Sequence, residues 1–159
     1  MKKVTPLTRR NLLMAALLLP LADARSANTR LQVEVWKTPT CGCCHDWVAH
    51  LEANGFEVKT YDLSESAKTA KRLALGMPEK LGSCHTALVQ GYVLEGHVPA
   101  RDIRRLLVER PRALGLAVPG MPVGSPGMDG PAYGGRKDAY AVLLVQQGGA
   151  STVFQDYRL

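Results

Sequence analysis

The stretch LQVEVWKTPTCGCCHDWVAHLEANGFEVKTYDL, residues 31–63, predicts a strand, a helix and a second strand in that order. Residues 31–37 and 56–63 alternate apolar and polar side chains, as half-buried strands do. Between them the apolar residues recur at helical spacing, after a predicted N-cap at Thr40 and before a stop at Asn54-Gly55. Two strands joined through a helix predict a parallel pair with a right-handed crossover.

The following segments extend this unit into an α/β layout. Residues 65–76 contain good helix formers and end at a glycine, and residues 77–83 predict a loop. Two short apolar runs around Gln90-Gly91 predict a β-hairpin, and residues 99–111 predict an amphipathic helix that begins near a proline. The resulting order, β-α-β-α-β-β-α, is that of a thioredoxin-like sheet.

A long segment rich in glycine, proline and methionine, residues 115–137, has neither helical nor strand period and predicts a functional loop. It contains a short internal echo, Pro119-Gly120-Met121 and Pro126-Gly127-Met128. Residues 139–157 then predict a second hairpin that turns at Gly148-Gly149 and extends the sheet at an edge. We therefore expect residues 25–159 to form a single thioredoxin-like domain.

The first 24 residues predict a secretory signal peptide. Lysines are followed by the pair Arg9-Arg10, an apolar run over residues 12–21 and a small-residue cleavage site ending at Ala24. The apolar run is too short for a bilayer-spanning helix, which needs about 20 residues, so an uncleaved anchor is the second interpretation. The arginine pair resembles the signal of the bacterial twin-arginine export route, so the mature chain is expected in the periplasm.

Composition and charge narrow the possible functions. The chain has 159 residues, of which 46% are hydrophobic, as expected for one folded domain. Without residues 1–24, the net charge falls from +6 to +3, with 16 basic and 13 acidic side chains. No basic block remains that would indicate nucleic-acid binding.

All four cysteines lie in the predicted mature chain: Cys41, Cys43 and Cys44 in one motif, and Cys84 far along the sequence. Cys41 and Cys44 form a C-x-x-C at the predicted start of the first helix, where the helix dipole favours a thiolate. Such a pair can be a plain disulfide, a redox pair or two metal ligands. Cys43 and Cys84 can alternatively be small buried apolar residues.

Strand direction predicts that these cysteines meet. The third strand should run antiparallel to the first, so that Cys84 lies beside the C-x-x-C. Cys84 occupies the place where thioredoxin-like redox enzymes typically hold a cis-proline. The fourth strand exits at the same end of the sheet, which brings His97 near the thiols. His85 and His45 come from the same two cysteine segments, but His85 can face away from the thiols and His45 is expected on the helix surface.

Several thiolates in one place favour a soft metal over a disulfide catalyst. Thiolates with a thioether in an exported protein indicate Cu(I) first and zinc second. Met121 is the candidate thioether ligand, and both Met121 and Met128 can alternatively anchor the loop. The predicted metal ligands are thus Cys41, Cys43, Cys44, Cys84, Met121 and His97.

Three segments, TPTCGCCHDWVAHLEANGF (38–56), SCHTALVQGYVLEGHVPA (83–100) and LLVERPRALGLAVPGMPVGSPGM (106–128), resemble the CopG-type family of periplasmic, copper-resistance-associated proteins. The resemblance covers roughly residues 33–157. It implies a thioredoxin-like fold, copper as the bound metal, and the four cysteines as the binding thiols. It also suggests that the protein binds more than one copper ion.

We therefore expect a periplasmic protein that sequesters Cu(I) or exchanges it with other periplasmic copper-handling proteins. The alternative is an oxidoreductase that uses Cys41 and Cys44 on protein disulfides, or that couples thiol oxidation to copper reduction.

Overall fold

The computed structural model describes residues 30–158, so the predicted signal peptide lies outside the described residues. Within this described part, seven strands and three helices follow one another as β1 (Leu31–Lys37), α1 (Gly42–Ala53), β2 (Phe56–Asp62), α2 (Glu65–Ala74), β3 (Thr86–Val89), β4 (Tyr92–Glu95), α3 (Ala100–Glu109), β5 (Gly115–Ala117), β6 (Ala141–Val145) and β7 (Ser151–Asp156). Short 3₁₀ turns lie at Glu79–Leu81 and Pro131–Tyr133. The α/β class and the predicted order of the first seven elements are confirmed.

All strands form one sheet in the order β2-β1-β3-β4-β5-β6-β7. β1 and β2 are parallel, and β3 is antiparallel to both β1 and β4. Trp36 near the end of β1 pairs with Thr86 at the start of β3, and Thr86 pairs with Glu95 at the end of β4. The residues after β1, before β3 and after β4 therefore meet at one end of the sheet.

The loop prediction for residues 115–137 is wrong at its beginning, where β5 forms. This three-residue strand is parallel to β4 and antiparallel to β6, so it links the C-terminal hairpin to the sheet. Gly115 is required there, because a Cβ would collide with the Val93 carbonyl group. A three-residue strand has too few positions to show a period of two, and it is identified only by its neighbours.

The main core lies between the sheet and helices α1 and α3, with Trp47 and Leu51 of α1 fully buried. A smaller core around Met77 involves residues that include Val93 and Leu114. Met77, like Trp47, is fully buried. Thr40 is not the N-cap of α1; Cys41 takes that position, with no side-chain cap. Between residues 30 and 158 no helix has the length and apolar character needed to cross a membrane.

Candidate metal centre

Two of the cysteines are joined at the beginning of α1. Cys41 is the N-cap residue and Cys44 lies in the first turn, and their sulfur atoms form a disulfide. Cys44 is fully buried, whereas Cys41 is partly exposed. The structure therefore presents the oxidised state of the C-x-x-C pair, and both sulfurs become available as metal ligands only after reduction.

Cys43 and Cys84 are free thiols that lie beside this disulfide. The Cys43 Sγ is 3.7 Å from the Cys41 Sγ and 3.9 Å from the Cys84 Sγ. All four sulfur atoms lie within 4.8 Å of one another, although residue 84 is 40 positions from residue 44. The predicted convergence of the thiols thus occurs, and Cys43 faces Cys84 rather than the helix core.

The methionine-containing loop lies over this cluster. The Met121 Sδ is 4.0 Å from the Cys43 Sγ, and its side chain is 51% exposed, so it is located at the mouth of the cluster. Gly127 has φ +86°, and a Cβ there would lie 2.6 Å from the Cys43 carbonyl oxygen, which places the loop against the first turn of α1. Met128 has a different role, because its Sδ accepts a hydrogen bond from the Tyr133 hydroxyl (3.1 Å).

His97 lies on the inner side of the cluster, as predicted. Its Nδ1 lies 2.8 Å from the Pro126 carbonyl oxygen, which can only accept, so Nδ1 carries the proton. The unprotonated Nε2 is then 2.9 Å from the Cys84 Sγ. Burial lowers the pKa of His97, and the hydrogen bond to Pro126 opposes this only in part. A neutral imidazole with a fixed tautomer is the form that binds metals.

His85 lies next to the cluster as well. The sequence does not decide whether its side chain faces the thiols or faces away from them. Its Nδ1 is 3.3 Å from the Cys84 Sγ, and its ring contacts the ring of Trp47 at a centroid distance of 4.2 Å. Among residues 30–158 its buried Nε2 has no hydrogen-bond partner. Burial, together with the nearby His97, lowers the pKa of His85 well below its ordinary value.

The surface position expected for His45 is confirmed. His45 is exposed on α1, and its Nε2 lies 3.3 Å from the Lys37 ammonium group. Because α1 turns 100° per residue, the side chain that follows the buried Cys44 points away from the sheet. Among residues 30–158, two overlapping groups of three or more possible metal ligands occur, Cys41–Cys43–Cys44–Cys84 and Cys84–His85–His97.

Cys84 belongs to both groups and stays protonated in the metal-free chain. Burial, and then the neighbouring Cys43, raise the pKa of the Cys84 thiol to about 12. A bound cation would displace this proton and bond the thiolate. Sulfur and imidazole atoms within bonding reach of a common centre suit a soft cation, and the residues present therefore fit copper.

Comparison with known proteins finds a matching family and similar solved structures. Residues 81–128 match a family described as a protein of unknown function, DUF411. Two solved structures, both of copper resistance protein CopG, are similar over most of the chain. Form 1 is 45% identical with a TM-score of 0.74, and covers 82% of this chain and 99% of that one.

Form 2 is 47% identical with a TM-score of 0.72, and covers 80% of this chain and 98% of that one. No curated protein matches the chain. The resemblance noted in the sequence is confirmed: the chain belongs to the family of copper resistance protein CopG.

Proposed function

We propose that this chain is a periplasmic copper-binding protein that holds Cu(I) through its cysteine cluster and contributes to copper resistance. The observation that carries the proposal is the position of Cys84. Its sulfur lies 3.9 Å from Cys43 and 2.9 Å from the His97 Nε2, so one thiolate can serve both ligand groups. Thiolates favour Cu(I), and zinc is the second choice.

In this proposal the metal ligands are Cys41, Cys43, Cys44 and Cys84, with His97 on the inner side and Met121 at the mouth. His85 is a further candidate, because its Nδ1 lies 3.3 Å from the Cys84 Sγ. The exposed thioether of Met121 is a neutral, soft ligand that a copper-handling partner can displace. The chain would therefore exchange copper with other periplasmic proteins at the Met121 side.

Export before use is part of the same proposal. Residues 1–24 would direct the chain to the periplasm by the twin-arginine route and be removed near Ala24. That route carries folded proteins. It would therefore allow the cluster to assemble before export.

Titration of the reduced chain with Cu(I) against a chromophoric chelator tests the copper proposal. We expect Cys84→Ser to lower the Cu(I) affinity by about 100-fold or more, because even outer-shell substitutions typically cost 10–100-fold. Met77→Leu is a matched control, since it removes a fully buried sulfur atom from the smaller core rather than from the cluster. Equal affinity in the Cys84→Ser and wild-type chains would contradict the proposal.

A thiol–disulfide oxidoreductase is the second candidate function. It is favoured by the disulfide at the start of α1 and by the free Cys43 thiol 3.7 Å from the Cys41 sulfur, a geometry suited to exchange. A copper-linked version would oxidise two thiols to a disulfide and reduce two Cu(II) ions to Cu(I), with release of two protons. Reduction of insulin disulfides by the metal-free chain at a thioredoxin-like rate would favour the oxidoreductase, and we expect little activity.

A further inference from the structure

Helix α2 buries charge where a surface helix ordinarily buries apolar side chains. Its two buried residues are Lys68 and Arg72, which are 4% and 8% exposed and lie one turn apart. Burying a cation is costly, and apolar residues of similar size often stabilise a fold when they replace buried ion pairs. These cations therefore call for a role other than stability.

Lys68 holds the backbone of Cys84. Its ammonium group donates a hydrogen bond to the Cys84 carbonyl oxygen at 2.9 Å and forms an ion pair with the Glu65 carboxylate at 2.9 Å. The cation is thus directed from α2 to the one cysteine that comes from outside the C-x-C-C motif.

Glu95 holds the residues on both sides of Cys84. This fully buried carboxylate, at the end of β4, accepts hydrogen bonds from the Ser83 amide and the Thr86 hydroxyl, both at 2.6 Å. Arg72 lies 3.6 Å from the same carboxylate and balances its charge. One side chain therefore spans residues 83–86, with Cys84 between its two attachments.

Cys84 needs such support because it lies outside the sheet. β3 begins at Thr86, so no strand pairing fixes residue 84. We propose that Lys68 and Glu95 are positioning residues that hold the Cys84 thiol within metal-bonding reach of the other three cysteines. This inference rests on the proposed copper function.

A structural role and a positioning role make different predictions for Lys68→Met. If Lys68 positions Cys84, the variant should bind Cu(I) about 10-fold or more weakly. The melting temperature of its metal-free form should stay about the same, because the partner carboxylate of Glu65 is 73% exposed and no charge is left buried alone. Lys80→Met is the matched control. It makes the same change in charge, and Lys80 is exposed on the turn at Glu79–Leu81.

The Thr86 hydroxyl supplies a second, charge-neutral test. Thr86→Val removes one attachment of the Glu95 carboxylate and should weaken Cu(I) binding about 10-fold, whereas Thr86→Ser keeps the hydroxyl and should restore the affinity. If Lys68→Met does not fold, Thr86→Val and Thr86→Ser together still test the positioning role.

The outcomes separate the two proposals. A wild-type reduced chain that fails to compete with the chelator for Cu(I) would refute the copper function itself. Tight wild-type binding with unchanged affinity in both Lys68→Met and Thr86→Val would refute only the positioning role. A loss of affinity matched by a lower melting temperature, without rescue by Thr86→Ser, would also overturn it.

Discussion

The oxidation state of the Cys41–Cys44 pair should control copper binding. With the disulfide intact, only Cys43 and Cys84 of the four cysteines are free, and the sulfurs of these two lie 3.9 Å apart. Reduction by a dithiol adds two electrons and two protons and releases two more sulfur ligands into the same cluster. The perturbation therefore doubles the number of thiols without changing the sequence.

The expected magnitude follows from the number of ligands. Structural zinc sites in zinc-finger peptides, which have four ligands, bind with roughly 10–16 kcal/mol, or about 3 kcal/mol for each ligand. Loss of two ligands should then cost about 6 kcal/mol, which corresponds to about 10⁴-fold in affinity. The oxidised chain should therefore bind Cu(I) about 10⁴-fold more weakly than the reduced chain.

The assay has two parts, both carried out without oxygen. A chromogenic thiol reagent should find two reactive thiols in the unfolded oxidised chain and four in the unfolded reduced chain. Competition with a Cu(I) chelator then gives the affinity of each form. The double variant Cys41→Ser with Cys44→Ser is the control, and it should bind like the oxidised chain with or without the dithiol. Equal Cu(I) affinity in the oxidised and reduced wild-type chains would refute the reasoning.

Two further predictions concern the loop and the buried carboxylates. Met121→Leu should weaken Cu(I) binding or speed the release of Cu(I) to the chelator, as measured by stopped-flow transfer. Met128→Leu is the control and should leave the affinity and the release rate unchanged, because the Met128 sulfur contacts Tyr133. Equal effects of the two substitutions would show that Met121 is not part of the site. Burial raises the pKa of Asp102 above its ordinary 3.8, so the folded chain binds more protons there and the free energy of unfolding should fall as pH rises through that window. In urea unfolding of the metal-free chain, Asp102→Asn should make the decrease of the unfolding free energy with pH shallower. The decrease should not vanish, because Glu95 also has a raised pKa. An unaltered pH dependence would contradict the raised pKa of Asp102.

Local periodicity was sufficient to predict the elements that form the end of the sheet. The alternation in residues 31–37, the helical spacing after Cys44 and the turn at Gln90-Gly91 each depend on neighbouring residues only. Strand direction then placed Cys84 and His97 beside the C-x-C-C motif, where the structure also has them.

Features that depend on distant contacts were not predictable from the sequence. β5 is recognised only through its pairing with β4 and β6. The orientation of His85 depends on the chain path just before β3, outside any regular period. The helix-forming pattern of residues 65–76 does not distinguish Lys68 from its neighbours, and two cations one turn apart, Lys68 and Arg72, are the signal that points to it.

A crystal structure of the reduced chain loaded with Cu(I), with the copper located by anomalous scattering, tests the central claim most directly. We predict a copper ion bonded at about 2.3 Å, as zinc–thiolate bonds are, to the Cys84 Sγ and to at least one sulfur of the C-x-C-C motif. Copper held elsewhere, with the Cys84 sulfur unbonded, would contradict it.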